Sequence, residues 1–173
     1  MANERAADEP AQARGDVTVV TTVTGPDRYR IVATATFESA PDEVWALLRD
    51  WERLVAVGLP ELASDFEWLT GGRDEVPSTL QFVLAGAVLK EEIYERRADQ
   101  DAGRYRVRYR ALEPALGVLE YDAVLELQRI AATRTAFSAT RDVRLAAGTA
   151  PDMLAGLFEA ETTRFRAYFA RNP

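Results

Sequence analysis

Six segments between Ala63 and Val143 alternate apolar and polar residues, with only short turns between them. They are Ala63–Thr70, Ser78–Ala85, Val88–Arg97, Arg104–Leu112, Val118–Gln128 and Arg134–Val143, broken at Gly71-Gly72, Gly86, Asp99–Gly103, Glu113–Gly117 and Ala131-Ala132. Strict alternation marks a strand with one buried face. Connections this short join antiparallel neighbours, because a parallel pair needs a crossover of a dozen or more residues. The stretch is therefore constrained to an antiparallel meander. A twisted sheet of this size curls, and its concave apolar face needs a cover. Pro151 opens the obvious one, a helix to about Arg171 that sets Leu154, Leu157, Phe158, Glu161, Phe165, Tyr168 and Phe169 on one side at three- and four-residue spacing.

Upstream, Tyr29–Phe37 alternates with Tyr29, Ile31, Ala33, Ala35 and Phe37 on one face. Before it, Val17–Gly25 is rich in β-branched residues and ends in the turn Gly25-Pro26-Asp27; it pairs either with the next strand or with a second chain. Ser39-Ala40-Pro41-Asp42 opens a helix, with Ser39 as N-cap and Asp42 three residues on completing a capping box. A second short helix from Glu52 to Val57 stops at Gly58. The expectation is an α+β fold: a curved antiparallel sheet of about seven strands around a long C-terminal helix, with two short helices after the first core strand. Residues 1–16 read as a flexible tail and 17–173 as a single domain, with 17–24 as an extra N-terminal strand.

Composition narrows the chemistry. The chain has no histidine and no cysteine, and Lys90 is its only lysine. Imidazole acid–base work, Ser-His-Asp triads, thiolate nucleophiles and the usual zinc sites are excluded. Proton transfer falls to Asp, Glu, Tyr, Arg-perturbed groups or Lys90. No cofactor motif is visible. The N-terminal stretch lacks the apolar run of a secretory signal, and no apolar run approaches the roughly 18 residues of a membrane span, so the expected location is cytoplasmic. A net charge of −7 disfavours nucleic acid and anionic membrane as partners. The exception to test is RYRVRYR (residues 104–110), whose four arginines suggest a basic ribbon. Alternation puts them on one face, opposite the acids Glu120, Asp122 and Glu126 of the following strand, and Tyr105, Val107, Tyr109 and Ala111 on the other.

Six residues of three kinds are candidates for a site. Glu91 shares a face with Leu89 and Ile93, where desolvation would raise its pKa; it is a ligand anchor, an acid–base group or a structural ion-pair partner. Glu161 sits within the apolar side of the last helix, either in the site, paired with Arg164 or solvated at the edge of the stripe. Tyr105, Tyr109 and Tyr121 fall on inward faces as pocket wall or core. Arg141 faces in if Thr135, Phe137 and Ala139 do, and faces solvent if Ser138 and Thr140 do.

Two stretches carry a resemblance: FESAPDEVWALLRDWERL (37–54) and AGAVLKEEIYERRADQDAGRYRVRYRALEPALGVLEYDAVLEL (85–127), followed by the terminal helix. Together they resemble the SRPBCC, or START-like, helix-grip superfamily, and within it the bacterial polyketide cyclase/dehydrase group. The resemblance implies a largely apolar cavity between sheet and C-terminal helix that holds lipids, hormones, polyketides or similar molecules. It implies Glu91, Tyr121 and Arg141 as catalytic residues, the arginine holding a carbonyl or enolate. It implies a ligand-binding wall of Ala33, Ala35, Trp68, Phe82 and Leu89 from the early strands. Tyr105, Tyr109 and Val118 continue that wall, and Phe158, Glu161 and Phe165 complete it from the helix. Gly86 and Glu113–Gly117 resemble gate and latch loops. The expected function is a metal-free cyclase or dehydratase of secondary metabolism acting on a hydrophobic small molecule. The alternative is a non-catalytic carrier or sensor using the same cavity. A third reading is an interaction module that dimerises through the Val17–Thr24 strand.

Overall fold

The computed structural model describes residues 17–171, so the expected tail over residues 1–16 lies outside it. Strands β1 (Thr18–Gly25) and β2 (Arg28–Phe37) precede helices α1 (Pro41–Arg49) and α2 (Trp51–Gly58). The meander follows as β3 (Ala63–Thr70), β4 (Ser78–Leu84), β5 (Ala87–Asp99), β6 (Arg104–Ala111), β7 (Val118–Ala131) and β8 (Arg134–Leu145), and α3 (Pro151–Arg171) comes last. One antiparallel sheet contains all eight strands in the order β1-β2-β8-β7-β6-β5-β4-β3. That is one strand more than the expected seven, because β1 joins the sheet by pairing with β2, Thr18 opposite Thr34. β2 in turn reaches across to β8, with Tyr29 opposite Val143.

The concave face is apolar because alternation holds strand by strand. Leu80, Phe82 and Leu84 of β4 are buried, as are Tyr105, Val107 and Tyr109 of β6 and Ala123, Leu125 and Leu127 of β7. In β8 the buried set is Thr135, Phe137, Ala139, Arg141, Val143 and Leu145, which settles the facing of that strand. α3 lies across this face and buries Leu154, Phe158, Thr162, Phe165 and Phe169. The Phe169 ring meets Phe37 at 5.2 Å and the Phe165 ring meets Phe137 at 6.3 Å. Each such side chain, fully buried, stabilises the fold by about 1.5–3 kcal/mol.

Two local readings are corrected. The first is the start of α1, which lies one residue later than expected. Ala40 occupies the cap position and Pro41 the first helical turn, so the residue that reaches back is Glu43 rather than Asp42. Its carboxylate accepts from the Ala40 N–H at 3.1 Å and from the Ser39 hydroxyl.

The second is the pairing of the arginine ribbon. A bulge in β5 between Ile93 and Glu95 resets the alternation. Glu92 and Glu95 then both stand beside β6, and Arg110 and Arg106 donate to them at 2.8 and 2.6 Å. The neutralising acids thus come mainly from the preceding strand. From β7, Asp122 approaches Arg108 at 3.9 Å, whereas Glu120 pairs with Arg28 and Arg144.

Candidate functional site

Between the concave face, α2 and α3 lies a cavity of about 520 Å³. Its walls are largely aliphatic and aromatic, and one row of polar side chains crosses it. The row draws Trp51 from α2, Glu91 from β5, Tyr109 from β6, Tyr121 from β7, Arg141 from β8 and Glu161 from α3. Period-two alternation makes this possible, since adjacent strands each present one inward residue at nearly the same level.

The row is continuous. The Trp51 indole N–H donates to Glu91 Oε2 at 3.2 Å, and its ring meets Tyr109 edge-on at 4.7 Å. The hydroxyls of Tyr109 and Tyr121 share a hydrogen bond of 2.8 Å. Arg141 Nε donates to the Tyr121 oxygen at 2.9 Å and Arg141 Nη2 to Glu161 Oε2 at 2.5 Å. The Arg141 guanidinium also stacks over the Phe158 ring, 3.9 Å from its centroid.

Burial sets the electrostatics. It drives the Glu91 carboxyl up to about 7; the Trp51 hydrogen bond opposes this, the Glu161 carboxylate adds to it, and the charge of Arg141 lowers it without cancelling the effect of burial. Burial likewise raises Tyr121 to about 12 and Tyr109 well above the ordinary phenol value. Burial raises Glu161 against the pull of Arg141. Burial acts against the charge of Arg141, but Tyr121, Glu161 and Tyr109 more than offset it, so the guanidinium stays protonated.

The row carries spare donors. Arg141 Nη1 is shielded from solvent and makes no hydrogen bond. Tyr109 and Tyr121 share one bond between them, and Tyr121 already accepts from Arg141, so one phenolic proton also lacks a protein acceptor.

The expected site residues separate into two groups. Glu91, Tyr121 and Arg141 all line the cavity, as do Phe82, Leu89, Tyr109, Val118, Phe158, Glu161 and Phe165. Glu161 pairs across to β8, not along the helix: Arg164 donates instead to the Gly58 carbonyl at 3.0 Å.

Ala33, Ala35, Trp68 and Tyr105 lie outside the lining. Ala33 and Ala35 are core residues of β2, on the far side of β8. Trp68 packs on Phe66 in the edge strand β3 at 5.4 Å. Tyr105 lies further along β6, stacked on Trp45 at 5.2 Å, and donates its hydroxyl to Asp42 at the start of α1.

The sequence offers Trp51 only as a core or pocket-rim residue, alongside Trp45 and Trp68; its place as a donor in the row is what sequence reasoning missed. Its signal was present: Trp51, Leu54, Val55 and Gly58 fall at i, i+3, i+4 and i+7, the inner stripe of a helix. Gly86 and the Glu113–Gly117 segment border one end of the cavity, through Ala85, Glu113, Ala115 and Leu116. Lys90 and Glu113 form an ion pair there at 2.9 Å.

The profile of the family described as polyketide cyclase/dehydrase and lipid transport matches residues 28–170. The chain belongs to this family. Within the polyketide cyclase/dehydrase and lipid transport family, the matched span takes in every wall of the cavity and leaves out β1.

Solved structures agree on a START-like helix-grip fold. The lipid transfer and protein localization domain of human StarD13 superposes with a TM-score of 0.67 at 14% identity, covering 89% of this chain and 84% of that one. A START superfamily protein from Mycobacterium smegmatis gives 0.66 at 12%, covering 83% and 99%. A protein from Nitrosospira multiformis gives 0.62 at 14%, covering 81% and 95%. No curated protein matches the sequence.

Proposed function

We propose that the protein binds an apolar small molecule bearing a hydrogen-bond-accepting oxygen, and that it acts on it as a cyclase or dehydratase. The observation that carries this reading is the row of spare donors crossing an otherwise apolar cavity of about 520 Å³, a volume suited to a small organic ligand. A carbonyl oxygen at the row meets Arg141 Nη1 and a tyrosine hydroxyl, the groups that best stabilise charge developing on it as an enolate forms. Glu91 sits in the same row with a pKa of about 7, suited to take a proton from carbon and return it to a departing hydroxyl. Tyr121 and Arg141 then hold the oxygen while Glu91 moves the proton. The family's printed description, cyclase and dehydrase alongside lipid transport, accords with both chemistry and carriage.

A carrier is the second reading. What favours it is that the one strong charge in the row, Arg141, is already neutralised by Glu161.

The test is a panel of apolar ketones, quinones and poly-β-ketones, followed by fluorescence of the three tryptophans for binding and by product analysis for turnover. Glu91→Gln keeps the Trp51 hydrogen bond, so it should bind as the wild type does while turnover falls by roughly 100-fold or more. Unchanged turnover removes Glu91 from the mechanism. Micromolar binding with no product from any member of the panel selects the carrier.

A further inference from the structure

β1 is the strand that the family match leaves out, and none of its residues lines the cavity. Its first seven residues, TVVTTVT, contain no charge and no proline. One side of β1 pairs with β2, and among the described residues no strand lies on the other, which is an edge of the sheet. From Thr18 to Val23 the register with β2 runs without a break, and Val20 and Val23 stand 54% and 71% exposed. Free edges in proteins are normally blunted by lysine, proline, a bulge or an inward charge, because unpaired N–H and C=O groups are a template for another strand. This length of β1 has none of those devices.

We propose that β1 pairs edge to edge with β1 of a second copy of this chain, antiparallel about a two-fold axis at Thr21, so that the two sheets become one. The strand's own sequence selects that occupant. Turned end for end, it sets Thr18 against Thr24, Val19 against Val23 and Thr21 against itself, leaving only Val20 opposite Thr22. Like-with-like Thr and Val pairs suit cross-strand packing, and a two-fold interface requires a patch that complements itself. Charge argues the same way. Each copy carries −7, and β1 lets two copies meet without setting like charges directly opposite one another.

The chain has no cysteine, so Thr21→Cys introduces a single thiol. Directly opposed residues in antiparallel strands have Cα atoms about 4.5–5.5 Å apart, within disulfide range. Thr21→Cys should therefore oxidise to a covalent dimer. Thr18→Cys should not, because its counterpart lies six residues along, ~20 Å away. Sedimentation should give a dimer for the wild type at micromolar concentration. The double variant Val20→Lys/Thr22→Lys sets lysine opposite lysine twice and should sediment as a monomer with an unchanged circular dichroism spectrum. A monomeric wild type with no crosslinking of Thr21→Cys overturns the proposal, and means the edge is free or covered by residues 1–16. Equal crosslinking at both positions indicates parallel pairing and overturns it too. Ligand binding is independent of either result, since β1 takes no part in the cavity.

Discussion

Glu91 is a carboxyl group held in an apolar wall by an indole N–H, with no ion-pair partner among the described residues. Its folded pKa of about 7 lies above its ordinary value of 4.5, so the folded state holds the proton more tightly than the unfolded chain does. The sign follows. Glu91 favours folding in full below its unfolded pKa, and that contribution is lost as pH rises through about 7. At about 1.4 kcal/mol per unit, the loss is on the order of 3 kcal/mol. Urea unfolding at a series of pH values should show wild-type stability falling between about pH 4.5 and 7, with Glu91→Gln falling much less over the same interval. Glu161 is shifted the same way and adds to the slope of wild type and variant alike, whereas Asp74 and Glu120, lowered by their arginines, act with the opposite sign. A wild type as flat as the variant would mean that Glu91 is ionised and solvated throughout.

At the scale of elements, the contact between α2 and α3 depends on Gly58. The sequence reads it as a helix stop, but it is the last residue within α2, and Leu59 caps. Its role is close approach: a Cβ there would stand 2.9 Å from Glu161 Cγ and from the Phe165 ring. Phe165 is buried against Phe137 and has little room to give. Helix propensity alone would make Gly58→Ala stabilising by about 0.5–1 kcal/mol. The steric term is larger, so we expect a net loss of about 1–2 kcal/mol, read from the urea midpoint.

Legibility in the sequence follows the range of the interaction. Every strand and helix was legible, because period two, period 3.6 and turn residues are local signals. So was the inward face carrying Tyr109, Leu89 and Glu91. Arg141 was half legible: alternation offered two facings, and only the core on both sides of β8 selects one. Glu161 was legible as a cavity candidate but its partner was not, since Arg141 is 20 residues back on another element while Arg164 lay one turn away. Tyr105 and Tyr109 look alike in the sequence. Which one reaches the cavity depends on where α1 crosses β6, and no local pattern carries that.

At the scale of the molecule, charge is distributed so that the arginine ribbon is not a free surface. Arg106, Arg108 and Arg110 each have an acidic partner, and Arg108 and Arg110 also stack over Tyr94 at 5.5 and 5.4 Å. Such exposed pairs contribute little to stability one by one, but they cancel the local potential within a protein of net charge −7. Fluorescence anisotropy with labelled single- and double-stranded DNA at about 0.15 M salt should therefore show no saturable binding. Among the described residues no helix is long and apolar enough to cross a membrane.

The sheet also sets a timetable. β4 to β8 join neighbour to neighbour and can zip up locally, but β2 sits beside β8 with Arg28 opposite Arg144, so its place does not exist until nearly the whole meander is made. Closing so long a loop costs entropy before any contact rewards it, which places folding with slow, nonlocal topologies rather than with fast helical ones. Until β2 docks and α3 lies down, the concave apolar face and the edge of β8 stand open. The newly made chain is thus most exposed to its neighbours just before the cavity acquires its last wall.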